Sequence, residues 1–445
     1  MLAGATGVVN SRSSLTTAGD RCHAAADQPD GERPLVDFDD TPEEAEYRAD
    51  VRRALEEHAA ELLHVGAGEE TVDAATAEAD LRRTQRVLYE AGLVGVTWPR
   101  EHGGQGGTLV QQAIVQQELA RARVPALVNH IGLGMCGPTV IAHGSDDQRQ
   151  RYLTRLLRAD DVWCQLFSEP ASGSDLAALR TTAVRDGDDW VVNGQKVWTT
   201  LAHVADLGIL LTRTDPERPK HAGLTMFVVD MHAPGVTVRP LRQMIGSAGF
   251  NEVFFDDVRI PDTERLGEPG EGWRVALTTL MNERVAIGGA GSDLGVPVER
   301  LVAHARQRLP QLDPDRQVLA RQALGRAVVA SLATRYTGYR RFTQLSRGGL
   351  PGPEASAGKL AGTAAAKLVA DAGVRLLGDD AVFGATADGD ETWQRSQGFL
   401  PGLAIAGGTD QVLRNILGER VLGLPPEPRS DKAAPFSSRP DGGAR

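Results

Sequence analysis

Three short stretches of the 445-residue chain hold side chains that could do chemistry. The first is Gln165-Leu166-Phe167-Ser168-Glu169-Pro170-Ala171-Ser172-Gly173-Ser174-Asp175. Pro170 removes a backbone donor and Gly173 permits positive φ, so the stretch is neither a strand interior nor a helix. Its serines and Asp175 supply side-chain hydrogen bonds that hold a loop without a ladder. The second, Lys196-Val197-Trp198-Thr199-Thr200, ends a β-rich run. An aromatic wall beside hydroxyl donors suits a planar cofactor, although an aromatic at a sheet end is more often core. The third is Ala404-Ile405-Ala406-Gly407-Gly408-Thr409-Asp410-Gln411. There Thr409 is a helix N-cap, and two glycines let a ligand approach amides that suit a phosphate. A capped helix and nothing more is the plain alternative.

A fourth position is a single acid. Glu283 shares a helix face with Ala286, Ile287 and Ala290, at i+3, i+4 and i+7. Such a face desolvates a carboxylate and raises its pKa toward that of a working base. The ordinary alternative is a solvated or arginine-paired surface acid. The histidines, His102 and His130 among them, show no ligand spacing, so no metal is expected.

The elements that position these residues fall into blocks. Residues 1–40 are aperiodic and rich in Ala, Ser, Gly and Asp, a disordered tail. Thr41-Pro42-Glu43-Glu44 is a helix start, and helical periodicity runs through residues 41–161. Residues 162–268 read as short strands separated by Pro, Gly and Asp turns, with Asn193-Gly194 as a hairpin turn. They predict an antiparallel β domain closed into a small barrel. Residues 269–424 return to helical period and predict an antiparallel helical bundle. Residues 425–445 read as a second disordered tail. The fold class is thus α+β, with no internal repeat.

Composition narrows the function. The net charge of −11 disfavours nucleic acid as a main partner. Cys22, Cys136 and Cys164 are odd in number and scattered, reading as reduced thiols of a cytoplasmic protein. Absence of an 18-residue apolar run predicts no membrane span. The start of the chain does not read as a signal peptide.

Phe-Ser-Glu-Pro-x-x-Gly-Ser-Asp at Phe167–Asp175, followed by Lys-x-Trp-x-Thr at Lys196–Thr200, resembles the acyl-CoA dehydrogenase flavoproteins. The resemblance runs from about Tyr47 to about Leu424. It implies FAD and α,β-dehydrogenation of an acyl thioester, with β-hydride passing to the flavin. By resemblance Phe167, Ser168, Trp198 and Thr200 lie along the isoalloxazine ring, and Thr409 and Gln411 also contact FAD. Ser174 is placed near both the pantetheine and the flavin. Much of the family carries its base two residues before the threonine, where this chain has Gly407. One branch carries it on an earlier helix, at the position matching Glu283. Arg284 is then structural or acyl-site support, and the Gly407 amide remains to polarise the thioester carbonyl. The chain lacks a dinucleotide Gly-x-Gly-x-x-Gly after an early strand; Gly4-Ala5-Thr6-Gly7 and Gly288-Gly289-Ala290-Gly291 are wrongly placed.

The family's subunit-crossing segments are altered around Ala305–Pro310 and Arg375–Asp380, where Gly378 is what survives. The final motif reads Asp410-Gln411-Val412-Leu413 where Ser-x-Ile-Gln is usual. Relatives with bulky, steroid-like substrates share some of these departures. The resemblance implies a homodimer or tetramer, or a heteromer, with electron-transferring flavoprotein as acceptor. Competing expectations are a dehydrogenase of carrier-protein thioesters, a non-catalytic partner subunit and a flavin monooxygenase.

Overall fold

A computed structural model describes residues 40–62, 74–287, 295–346, 352–378, 391–428 and 433–438. Helix α1 (Pro42–Glu57) opens with a complete capping box, Thr41 and Glu44 bonding reciprocally to each other's amides. It is followed by α2 (Ala74–Glu90) and α3 (Leu109–Arg121). Glu118 of α3 is buried and takes Arg48 and Arg52 of α1 at 2.9 and 2.7 Å, clamping the two helices. A π-helical turn (Gly132–Cys136) leads into α4 (Gly137–His143), and α5 (Asp146–Leu157) closes this block. Leu153, Leu156 and Leu157 of α5 pack with Ile114 and Trp163 in the first core. The π turn and α4 were not anticipated, because Gly132, Gly134, Gly137 and Pro138 interrupt the helical pattern.

Eight strands follow: β1 (Trp163–Leu166), β2 (Thr182–Asp186), β3 (Asp189–Thr200), β4 (Leu207–Arg213), β5 (Leu224–Asp230), β6 (Val236–Leu241), β7 (Phe250–Pro261) and β8 (Arg265–Leu266). Their order is β6-β7-β3-β2-β4-β5-β8, with β1 beside β4. The expected closed antiparallel barrel is corrected on two counts. The path is open, with no pair joining β6 to β8 among the described residues. The sheet is also mixed, because β1 pairs in parallel with β4. Trp163, Cys164 and Leu166 are fully buried, as parallel strands covered on both faces require.

Asn193-Gly194 is not a turn. β3 runs straight through it, and the hairpin closes earlier, at Gly187-Asp188 between β2 and β3. Asn193 instead exchanges two 2.9 Å hydrogen bonds with Asp257 of β7, at a register shift. Gly194 has φ +151°, and a Cβ there would lie 2.7 Å from Thr181 Cα. The pair marks a β-bulge with close backbone approach, the other structural use of such residues.

The last block contains α6 (Gly272–Ile287), α7 (Val298–Arg308), α8 (Pro314–Ser346), α9 (Ala355–Leu377), α10 (Thr392–Leu403) and α11 (Asp410–Arg420). Its core joins Leu301, Ala327, Val369, Leu376 and Trp393. Helix α10 was not anticipated, since Gly398, Pro401 and Gly402 fall in its pattern. Within the segment expected to be a tail, Phe436 lies 3.7 Å over the Arg213 guanidinium, and residues 436 and 437 donate to the β4–β5 loop. No helix among the described residues is long and apolar enough to cross a membrane.

Candidate functional site

The loop after β1 is built around one buried ion pair. Glu169 accepts from Lys196 Nζ at 2.9 Å, from the Arg180 amide at 2.6 Å and from the Thr181 amide at 2.9 Å. Lys196 is fully buried and also donates to the Phe167 carbonyl at 3.0 Å. Burial alone would raise the Glu169 carboxyl, but the Lys196 ammonium and these N–H donors outweigh it and hold the group below its usual range. Burial draws Lys196 down. Three donors converging on one carboxyl require its ionised form, so the pair is ionic. The Val197 amide donates to the Ser168 carbonyl at 2.8 Å. Phe167, Ser168 and the end of β3 are thereby fastened into one corner.

At that corner β3 bulges again. The register with β7 shifts between Lys196 and Thr199, leaving Val197 and Trp198 opposite Glu252. Trp198 has φ +61° and is 61% exposed, its ring edge-on to Phe250 at 6.1 Å. The plain alternative of a core aromatic does not hold for Trp198: the bulge turns it outward. Thr200 and Ser168 are half-buried beside it. Ser174 is exposed on the same loop, and its neighbour Asp175 holds Lys220 with both oxygens at 2.8 Å.

A second corner forms at the start of α11. Thr409 Oγ1 accepts from the Val412 amide at 3.1 Å, a true N-cap. Gly407 and Gly408 have φ +64° and +89°. Lys359 of α9 donates to the Gly408 carbonyl and to Asp410, at 3.1 and 3.0 Å. Gln411 is exposed, Gly407 half-buried. This turn follows α10, where a Cβ on Gly398 would meet Ile245 of the β6–β7 loop at 2.6 Å.

Glu283 and Arg284 lie on the last turns of α6, with their side chains outside the described residues. By register Glu283 continues the row of Ala276 and Thr279, both fully buried. Thr279 bonds Thr139 of α4 at 2.9 Å, and Thr278 bonds His143 at 2.8 Å, so the rotation of α6 is set by α4. Clefts of about 430 Å³ beside Tyr47 and Arg100, and 290 Å³ beside Tyr152 and Glu264, contain none of the predicted residues. Gly288-Gly289-Ala290-Gly291, Asp379 and Asp380 lie outside the described residues.

The roles of Glu169, Lys196 and Lys359 were missed. Glu169 and Lys196 stand inside the motif, but their pairing spans 27 positions and has no local signature. Lys359 is one of three cations in an Ala- and Gly-rich helix, with Lys367 and Arg375, so its type alone did not single it out.

Comparison with known proteins now defines the class. Residues 41–160, 164–258 and 270–422 match the N-terminal, middle and C-terminal domains of acyl-CoA dehydrogenase. A helical block, a mixed sheet and a second helical block in this order form the scaffold of FAD-dependent oxidoreductases acting on CH–CH bonds. The chain belongs to the acyl-CoA dehydrogenase family. It is 40% identical over 384 residues to acyl-CoA dehydrogenase FadE34 of Mycobacterium tuberculosis, covering 85% of this chain and 51% of that protein. It is 40% identical over 347 residues to acyl-CoA dehydrogenase IpdE1 of the same organism, covering 76% of this chain and 87% of that protein. The chain therefore spans about half the length of the first relative. Among solved structures it resembles the Tcur3481-Tcur3483 steroid ACAD, with TM-score 0.72, 30% identity, and coverage of 88% of this chain and 100% of that one. The ChsE4-ChsE5 complex from Mycobacterium tuberculosis gives TM-score 0.73 at the same identity and coverage.

Proposed function

We propose that this chain is an FAD-dependent acyl-CoA dehydrogenase acting on a bulky, steroid-like acyl thioester. The observation that carries the flavin assignment is Trp198, an indole turned out of the sheet by a left-handed bulge and buttressed by Phe250. Such a ring, with half-buried hydroxyls of Ser168 and Thr200 beside it, fits a planar heteroaromatic cofactor. Phe167, Ser168, Ser174, Trp198 and Thr200 would hold the ring system. Thr409 and Gln411 would hold a more distant part of FAD at the capped amides of α11. When bound, FAD supplies the acceptor that takes the substrate's β-hydrogen with its electron pair.

The chain's own residues do the rest. Glu283 takes the α-proton, so that the α C–H pair becomes the new carbon–carbon double bond as the β-hydrogen departs. Its position on α6, four residues after the buried Thr279, supports its assignment as base. The Gly407 amide polarises the thioester carbonyl, and Arg284 and Ser174 support the thioester. The steroid-like substrate is supported by the name of the Tcur3481-Tcur3483 neighbour.

Domain boundaries near residues 161 and 269 and an antiparallel helical bundle for the last block complete the reading. Oligomerisation, homomeric or with a related chain, is supported by the two-component neighbours. An electron-transferring flavoprotein is the acceptor that the family suggests. Buried free thiols at Cys136 and Cys164 suit the cytoplasm.

The test is wash-out of α-deuterium from a labelled thioester. The wild type exchanges the label and Glu283→Gln does not; exchange at the wild-type rate in the variant removes Glu283 as base.

A further inference from the structure

Beneath Trp198 lies a polar cluster with no role in the reading above. Asn251 of β7 is fully buried and pairs with Thr199 across the bulge. Its Nδ2 donates to the Thr199 carbonyl at 3.0 Å and lies 3.1 Å from His203 Nδ1, with the Gly249 carbonyl at 3.5 Å. Thr199 is flanked by two left-handed residues close by, Trp198 at φ +61° and Leu201 at φ +59°. Non-glycine residues persist there only where neighbours over-determine the backbone. The bulge has removed the regular ladder at this point, and the carboxamide occupies its place. The Leu201 amide donates to the Gly249 carbonyl at 3.0 Å and closes the other side.

The cluster carries a cost. Asn251 Oδ1 and Thr199 Oγ1 are buried with no hydrogen-bond partner among the described residues. Each such atom carries an uncompensated desolvation penalty, and an apolar pair of the same shape would be free of it. A packing role alone would be served better by such a pair. A role in holding strained backbone needs the N–H donors that only the amide supplies.

The geometry points to Asn251, held by His203, as a positioning residue that fixes the Trp198–Thr200 bulge in its ligand-facing form. This rests on the reading that a flavin ring lies against Trp198 and Thr200. The Asn251 side chain acts through the Thr199 carbonyl and touches neither cofactor nor substrate. Asn251→Asp keeps the shape and loses the donors; Asn251→Leu loses both polar atoms; His203→Ala removes the outer contact from an exposed position.

Two readouts separate this inference from the flavin reading. Amide hydrogen exchange over residues 198–201 is measured on each variant as purified, whatever it binds. Loss of the clamp is expected to speed exchange there by about tenfold, the equivalent of one hydrogen bond. FAD affinity and the visible circular dichroism of the bound flavin are measured in parallel. Asn251→Asp is expected to weaken FAD by a similar factor and to alter the band shape. If wild type binds no FAD, the flavin reading fails and the exchange data still judge the clamp. If wild type binds FAD while the variants leave exchange, affinity and band shape unchanged, with only the melting temperature lowered, Asn251 is a packing residue and the inference is wrong. Should neither Asn251 variant fold, His203→Ala decides by the same two readouts.

Discussion

Lys196 shows how far one side chain governs the site. Its ammonium is the link between the Phe167–Glu169 loop and β3, and it is sealed from water. Lys196→Met leaves a carboxylate buried beside no cation and is expected to cost about 3–5 kcal/mol in urea denaturation. Glu169→Gln/Lys196→Met removes both charges and is expected to cost clearly less than that single variant. A double variant as unstable as Lys196→Met would mean that packing, not charge, dominates. The pH dependence has a definite sign. Glu169 has a depressed pKa in the fold, so its stabilisation is present above the ordinary glutamate value and is lost as pH falls below ~4. An acid-denaturation midpoint that does not change in Glu169→Gln would contradict this. Trp198 behaves oppositely. It is largely exposed, so Trp198→Ala is expected to change stability by no more than about 0.5 kcal/mol while loosening FAD. Of these residues, Phe167, Ser168, Trp198 and Thr200 stood out through the joint spelling that carries the family resemblance. The Glu169–Lys196 pairing did not, because an ion pair across 27 positions is settled by the fold, not by any local pattern.

At the scale of elements, the caps were the most legible feature. Thr41-Pro42-Glu43-Glu44 starts α1 and Thr409 starts α11 as their chemistry dictates, because a cap depends only on neighbours within four residues. Asn193-Gly194 misled, since the same dipeptide serves a turn or a bulge and the choice is made by β7 and Thr181, remote in sequence. Gly194→Ala separates the two uses. In a two-residue turn it would cost about 1 kcal/mol for the left-handed φ alone; at φ +151°, with a Cβ 2.7 Å from Thr181 Cα, it is expected to cost about 2 kcal/mol or more, read from thermal unfolding. Lys359→Ala tests the second corner. Loss of its bonds to Gly408 and Asp410 is expected to raise hydrogen exchange at residues 407–413 without moving exchange in β3. Unchanged exchange at the turn would show that the glycines are held by packing alone.

Helix α8 carries exposed apolar side chains among the described residues. Val318, Val329 and Tyr336 of α8 are 56%, 69% and 50% exposed, and spacings of i+11 and i+18 set them on one stripe. Exposed Gln322, Gly325 and Arg326 lie between the first two, so the line is a mixed surface of the kind found at the rim of a protein contact. In the proposed oligomer, Val329→Glu is expected to lower the mass measured by light scattering without unfolding the chain; an unchanged mass would remove α8 from the interface. The central claim concerns the entire assembly of loop, bulge and helix, and the visible spectrum of the purified protein tests it most directly. The account predicts bound FAD whose absorption bleaches on anaerobic addition of a steroid-like CoA thioester, and a Glu283→Gln variant that keeps the flavin band and does not bleach. A protein that binds no FAD, or a variant that bleaches at the wild-type rate, would contradict it.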